Sequence, residues 1–442
     1  MNIILISRGL LTNSIGHKRT RMIAKYVLSS GHAVFCIVPD FDPVFSSNES
    51  SFGICIPVAS REAKWIKTLM PFFKEASSSP QDLLDSELRN SGYKRTPSGV
   101  LHFLKKAYAK WSYVNFQCGS LYFHDNYVIR LRKKAFLKST LKSLSHKFKD
   151  QTVLFTSVSP GYLNLIGARI KKKFPNVFWV ADYRDPIEDN HNHKSISSSL
   201  SLKKCDEAAF ANADLITAAS EGLATKLCGS ATRLGYNIDR RCMVIYNGFE
   251  HSESETAETG DCAEKISIVY TGTLYSNQNV ELFWKVISDE CLKEKVRLIY
   301  AGSSYSRVER LSTSREGSIK SLRLVSHEQA ICVQRGADLL LLLKSDEPDQ
   351  GIMTGKFYEY LASNKPILVI GDKDAEFNAI AERIGGIYIL PYEEEKIKEF
   401  LLDFASKQPF RFERDSQEVD KFNWNNLARN LLEEIKKRLK NI

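Results

Sequence analysis

The chain has 442 residues, 43% of them apolar and 26% charged, which excludes a disordered or collagen-like chain and leaves room for two or three domains. Its nine cysteines form no C-x-x-C pair. An odd number with that spacing argues against a disulfide framework or a structural zinc site and for buried thiols in a reducing compartment. The formal net charge is +10, and residues 101–149 alone, with eleven Lys/Arg and one acid (Asp125), carry an excess of that size.

The opening residues, MNIILISRGLL, lack the basic leader and long apolar core of a signal peptide. No run approaches the roughly 18 apolar residues of a membrane span. The expected location is therefore cytoplasmic, with any membrane contact peripheral. Residues 2–7 read as a strand, 9–17 as a loop, and 18–30 as a helix with Met22, Ile23, Tyr26 and Val27 on one face and Gly31 at its end. Residues 33–38 form the next strand, and this strand-loop-helix-strand opening implies a parallel sheet.

Residues from about 45 to 150 show no regular pattern. Within them, cations interleave with Tyr108, Trp111, Tyr113 and Phe136. Such a surface suits anionic lipid, at about 1 kcal/mol per cation, or a nucleic acid; a solvated helix face over core aromatics reads the same way. The pattern resumes with a strand at 153–157, a helix from a Ser159-Pro160 start to 173, and a strand at 177–181 leading into Asp182-Tyr183-Arg184-Asp185-Pro186. Helix 202–211, strand 215–218, a helix capped by Ser220 to 227, and strand 243–246 before Asn247-Gly248 complete the first half.

Residues 251–264, HSESETAETGDCAE, are polar and aperiodic and read as a linker. A second alternating unit follows. It has strands at 266–270, 296–301, 339–343, 366–370 and 387–390, and helices at 277–287, 354–362, 393–406 and 425–439. Two such units imply two Rossmann-like domains facing across a cleft, with ligands beyond the carboxyl ends of the strands. The residues that follow strands are then the informative ones, Gly302 and Ser303 among them.

The segment 349–362, DQGIMTGKFYEYLA, runs from a glycine-containing loop into a helix. Free N–H groups at a helix N-terminus make an anion site. Lys356 in the first turn is unfavourable beside the positive end of the helix dipole unless it serves a phosphate. Glu359, three residues on, shares its face and can hold two ribose hydroxyls. Thr354, Gly355, Lys356 and Glu359 thus describe a nucleoside diphosphate site.

The pattern Thr354-x-Lys356-Phe357-x-Glu359-Tyr360-Leu361-Ala362-x-x-Lys365-Pro366-Ile367 resembles the donor-binding helix and strand of family 4 glycosyltransferases of the GT-B fold, especially those building bacterial cell-surface polysaccharides. Segments 179–186, 245–249 and 270–274 resemble, in order, an acceptor-domain loop, the approach to the interdomain linker and the loop opening the donor domain. The resemblance implies an α/β GT-B protein with an acceptor domain at 1–250, linker 251–264, donor domain 265–420 and a last helix within 421–442 packing back on the first domain. It implies retaining transfer of a sugar from a nucleotide-sugar to a lipid-linked saccharide, with no metal and no cofactor. Peripheral membrane contact would run through 101–149, and no nucleic acid is expected.

In that scheme Lys356 and the N–H groups of Gly272 and Thr273 stabilise the leaving diphosphate. Gly302, Ser303, Thr354, Gly355 and Glu359 bind the donor. Gly16, His17 and Lys18 line the cleft near diphosphate and acceptor. Asp182, Arg184 and Asp185 face the acceptor or the reacting sugar; from the residues alone, Asp182-Tyr183-Arg184-Asp185 equally suits a structural ion pair. Two departures stand out. Gly351 occupies the place of the family's first Glu, where Asp346, Glu347 or Asp349 would have to substitute, and residues 274–279 carry no cation, which shifts the phosphate clamp to Lys356 with Lys344. A nucleotide-sugar epimerase, a silent nucleotide-sugar-binding partner and a nucleic-acid module are the alternatives. A dinucleotide oxidoreductase is disfavoured, because residues 9–16 do not spell G-x-G-x-x-G.

Overall fold

The computed structural model describes residues 1–7, 18–39, 49–50, 53–58, 151–158, 161–186, 196–250, 265–275, 278–312, 319–344, 353–371 and 374–440. The chain divides into two compact units, residues 1–217 with 226–243, and residues 218–225 with 244–442. The basic aromatic stretch, the 9–17 loop and the expected linker lie outside the described residues.

The first sheet has eight strands: β1 (Asn2–Ile6), β2 (Ala33–Pro39), β3 (Glu49–Ser50), β4 (Gly53–Val58), β5 (Thr152–Val158), β6 (Phe178–Tyr183), β7 (Leu215–Ala218) and β8 (Cys242–Val244). Their order is β3-β4-β2-β1-β5-β6-β7-β8. The pairs β1–β2, β1–β5, β2–β4 and β5–β6 are parallel, and β3 turns back antiparallel on β4. Helices α1 (Lys18–Ser29), α2 (Tyr162–Lys173), α3 (Ile196–Asn212) and α4 (Glu221–Arg233) connect the strands. Every residue of β5 and β6 is buried, the mark of a parallel sheet covered on both faces.

That burial extends to polar groups, which are paired in series. Trp179 Nε1 donates to Thr156 Oγ1 at 2.9 Å. Asn164 Nδ2 donates to the Tyr183 hydroxyl at 2.8 Å, and that hydroxyl donates to Asp206 at 2.9 Å. Gly167 lets α2 approach the Trp179 ring: a Cβ there would lie 2.3 Å from the indole.

The second sheet is six-stranded and parallel throughout: β9 (Ile266–Thr271), β10 (Val296–Ala301), β11 (Ile319–Ser321), β12 (Leu339–Leu343), β13 (Ile367–Ile370) and β14 (Ile387–Leu390), ordered β11-β10-β9-β12-β13-β14. Alternate residues feed two cores. Ile268, Tyr270, Leu298, Tyr300, Leu341 and Leu368 pack against α5 (Val280–Ile287) and α10 (Glu394–Ser406). Val269, Ile299, Leu340, Leu342 and Val369 pack against α8 (Gly355–Ala362) and α9 (Ala375–Ile384). Helices α6 (Tyr305–Ser312), α7 (His327–Arg335), α11 (Ser416–Asp420) and α12 (Trp424–Leu439) complete this half.

Several elements depart from the sequence reading. β6 continues to Tyr183, so Asp182 belongs to a strand. α4 runs past Leu227 to Arg233, because tertiary packing overrides the weak helix formers Gly229 and Ser230. α5 starts at Val280, capped by Asn279, not at residue 277. β8 stops at Val244. β3, β4, α6, β11, α7, α9 and α11 carry no clear signal; Pro57 and the short apolar runs conceal them. Among the described residues, no helix is long and apolar enough to cross a membrane, and six cysteines are free thiols.

Replacing Gly167 by Ala should force the Trp179 ring aside and cost about 1–3 kcal/mol. Urea unfolding followed by tryptophan fluorescence reads this. An unchanged midpoint would mean that α2 and β6 do not pack as described.

Candidate functional site

The second unit gathers its polar loops at the carboxyl end of its sheet, where open α/β sheets hold ligands. Past β9 the chain turns at Gly272 (φ +107°), and past β10 at Gly302. The two turns touch, and a Cβ on Gly302 would lie 2.0 Å from the Gly272 carbonyl oxygen. Tyr300 fixes this contact: its hydroxyl donates to the Gly272 carbonyl and accepts the Ser304 N–H, both at 2.8 Å. Ser304 Oγ accepts from Leu274 N at 3.1 Å. Thr273 Oγ1 and Ser303 Oγ then lie 2.8 Å apart. Beneath them the Tyr360 hydroxyl accepts from Thr271 N at 3.0 Å, and Gln334 donates to Thr271 Oγ1 at 2.8 Å.

Thr354 caps α8, its hydroxyl accepting the Lys356 N–H. The Lys356 side chain crosses to the β9 turn. Nζ lies 2.5 Å from the Tyr270 hydroxyl and donates to the Thr273 carbonyl at 2.8 Å. It also stands 4.5 Å from the Tyr270 ring centroid and 5.5 Å from that of Tyr275. A Cβ on Gly272 would meet Lys356 Cε at 2.6 Å, so only glycine admits this approach. Among the described residues no carboxylate forms an ion pair with Lys356. Burial lowers its pKa to about 8, opposed only by the charge of Glu359 one turn along the helix. Glu359 itself has Oε1 3.9 Å from Nε2 of His327, which opens α7.

The donor arrangement expected from the sequence needs two corrections. The Gly272 N–H is not available to a phosphate, because it donates to the Ala301 carbonyl at 2.7 Å and so extends the β9–β10 ladder. The N–H groups of Thr273 and Gly355 have no partner among the described residues and can serve an anion. Lys344 does not join Lys356. It is buried beside α9, with Nζ 3.5 Å from Asp374 Oδ2 and 4.9 Å from the Phe377 ring.

In the first unit, Asp182 is fully buried. Arg19 grips it through Nε at 2.9 Å and Nη2 at 2.8 Å. Ser157 and Thr217 hydroxyls donate to it at 3.2 and 2.7 Å. With both oxygens engaged and no surface, this carboxylate holds the ends of β5, β6 and β7 and the first turn of α1 together. That is the ion-pair alternative, not the acceptor-facing one. Arg184 and Asp185 lie just beyond β6, partly exposed, and Lys18 opens α1. Gly16 and His17 lie outside the described residues, as do Gly351, Asp346, Glu347 and Asp349.

Known structures share this fold, with its two α/β units. A sucrose-phosphate synthase from Thermosynechococcus elongatus superposes with a TM-score of 0.63 at 13% identity, covering 100% of both chains. Anabaena HepE in complex with UDP and glucose gives 0.59 at 12%, covering 99% of this chain and 100% of its own. The lipopolysaccharide outer core galactosyltransferase WaaB gives 0.59 at 11%, with the same coverage. The chain has the GT-B fold, with two Rossmann-like domains. No protein-family model and no curated protein sequence matches it.

Within this GT-B chain, sequence reasoning found the residues that follow strands and missed the tyrosines that organise them. Tyr270 and Tyr300 occupy inward positions on β9 and β10 and count as core by periodicity, yet their hydroxyls reach the loop. Tyr360, also buried, does the same from α8. His327 gave no motif, since α7 is announced only by its capping box, Ser326 with Gln329.

Two outcomes check this geometry. Selective amine labelling against pH should show Lys356 half-protonated near pH 8, and Glu359→Gln should move that midpoint lower by removing a charge that supports the ammonium. A midpoint near 10.5 would contradict the burial. Asp182→Ala should strand the Arg19 charge and cost about 3–5 kcal/mol of stability; denaturant unfolding that shows less than 1 kcal/mol would refute the buried ion pair.

Proposed function

We propose that this protein is a retaining glycosyltransferase that moves a sugar from a nucleotide-sugar to a lipid-linked saccharide in the synthesis of a surface polysaccharide. The observation that carries the reading is the half-buried Lys356 ammonium, which among the described residues has no carboxylate partner, beside the Thr273 and Gly355 N–H groups. Such a cation is incomplete without an anion, and a diphosphate supplies one. In the transfer, the bond from the anomeric carbon to the diphosphate breaks and the electron pair leaves with the phosphate oxygen. Lys356 and the two N–H groups meet the charge that develops there. The acceptor hydroxyl bonds to the anomeric carbon on the face the diphosphate leaves, and its proton passes to the departing phosphate.

In this reading Glu359, on the same helix face, takes the ribose hydroxyls. Charge neutralisation by Lys356 supplies what a metal ion supplies elsewhere, so the proposed reaction is independent of metal. HepE with UDP and glucose, and WaaB, a galactosyltransferase, agree with this choice among the chemistries the fold hosts. The lipid-linked acceptor and inner-membrane setting rest on the resemblance of the donor helix and on the basic aromatic composition of 101–149.

The test is turnover of a nucleotide-sugar panel with an extract of lipid-linked saccharides, followed by NMR of the product. The expected product keeps the anomeric configuration of the donor, forms equally in EDTA, and falls about 10²–10³-fold in rate in Lys356→Met, the usual effect of removing one transition-state donor. An isomerised nucleotide-sugar formed without acceptor would show an epimerase. Donor binding with no turnover on any acceptor fraction would show a silent partner.

A further inference from the structure

Tyr275 lies two residues past Thr273, and among the described residues it is the one exposed Phe, Tyr or Trp, with 57% of its surface open. A lone exposed ring is ordinary on a protein surface. This one is distinguished by how its main chain is fastened. Its N–H donates to Gln278 Oε1 at 3.0 Å, and buried Gln278 is itself pinned, Nε2 donating to the Leu343 carbonyl at the end of β12 at 2.7 Å. Its carbonyl accepts from Arg307 Nη1 at 3.4 Å, and Arg307 is held in turn by Glu281 at 2.6 Å. Leu274, the residue before it, is buried in the core that contains α5. A ring on so fixed a backbone loses little further freedom when a ligand packs on it, because only two side-chain torsions remain.

The neighbours of Tyr275 indicate which part of a ligand would meet it. Lys356 Nζ lies 5.5 Å from the centroid of its ring. The ammonium reaches from one face of the sheet to the other: it starts on α8, which packs in one core, and bonds Tyr270, which packs in the opposite one. Glu359 stays on the α8 side, beside His327 of α7. Tyr275 leaves β9 on the α5 side, next to Leu274. With the diphosphate on Lys356 and the ribose on Glu359, the nucleoside extends toward α8. The group at the other end of the diphosphate then extends toward Tyr275, and in a nucleotide-sugar that group is the sugar. A pyranose has polar edges, but its faces are lined with C–H bonds. Their slight positive charge matches the negative face of an aromatic ring.

We propose that Tyr275 is a specificity-determining residue that stacks on the C–H face of the transferred sugar. This deepens the glycosyltransferase reading and rests on it for the donor site.

The test compares each nucleotide-sugar with its own nucleoside diphosphate. The full chain, Tyr275→Ala and Tyr275→Phe are titrated calorimetrically with UDP, GDP and TDP, and with UDP-glucose, UDP-galactose, GDP-mannose and TDP-rhamnose. The readout is the affinity for the nucleotide-sugar divided by that for the diphosphate, which cancels whatever the ring does for Lys356. For the sugar that wild type binds best, this ratio should fall about fivefold in Tyr275→Ala, the scale of one lost ring contact. It should stay at the wild-type value in Tyr275→Phe, which keeps the ring. Saturation-transfer NMR should show the sugar C–H protons losing contact with the protein in Tyr275→Ala while the ribose protons keep theirs. A ratio unchanged in Tyr275→Ala would overturn the proposal and leave the donor site standing, whether or not both affinities fell together. An equal loss in Tyr275→Phe would assign the effect to the hydroxyl and overturn stacking. Binding of the diphosphates but of no nucleotide-sugar would overturn it as well. Binding of no nucleotide at all would overturn the donor reading, and this proposal with it.

Discussion

The second unit of this protein is organised around one ammonium group. Lys356 Nζ is half-buried beside two tyrosine rings, bonded to a hydroxyl and a carbonyl oxygen and, among the described residues, to no carboxylate. Neutral contacts and cation–π attraction return only part of the lost hydration. The remaining deficit is what makes the position receptive to an anion, and it appears as a pKa lowered to about 8. A carboxylate at bonding distance would remove the deficit and the receptivity together. Glu359 stands far enough along the helix to sustain the charge without quenching it.

The rest of the second unit keeps that ammonium in place. Lys356 reaches the β9 turn only because residue 272 has no side chain, and the turn keeps its shape because Tyr300 ties Gly272 to Ser304. Tyr360 and Gln334 secure Thr271 from below. These groups hang from the ends of parallel strands whose apolar residues fill both cores, so loop position is inherited from sheet register. The first unit solves the analogous problem with a buried salt bridge: Asp182 ties α1 to three strand ends.

Much of this was legible in the sequence. Continuous apolar runs such as Leu339–Leu343 and the strand-loop-helix alternation specify parallel sheets, and the helix beginning at Gly355 is plain from Thr354 and the spacing of its apolar residues. The phosphate role proposed for Lys356 starts from a cation placed where a helix dipole disfavours one. Residue order does not reveal which polar groups are already consumed. The Gly272 N–H looks free in a Thr-Gly-Thr loop and is in fact spent on the sheet. Asp182 looks available in Asp-Tyr-Arg-Asp and is sealed by Arg19, 163 positions away along the chain. Tyr300 shows the converse, a residue that periodicity assigns wholly to the core while its hydroxyl does the positioning. Such facts depend on long-range pairing, which local patterns do not encode.

The measurement that bears most directly on this account is calorimetric titration of the full chain with UDP, GDP, TDP and CMP, in EDTA, at pH 7 and pH 9, alongside Lys356→Met. Selective binding of one nucleotide is expected, weaker at pH 9 because Lys356 has by then lost its proton, and lost in the variant at both values. Binding of none of the four, or binding indifferent to both pH and the loss of Lys356, would contradict the claim that this buried ammonium is the anchor of a nucleotide-sugar site.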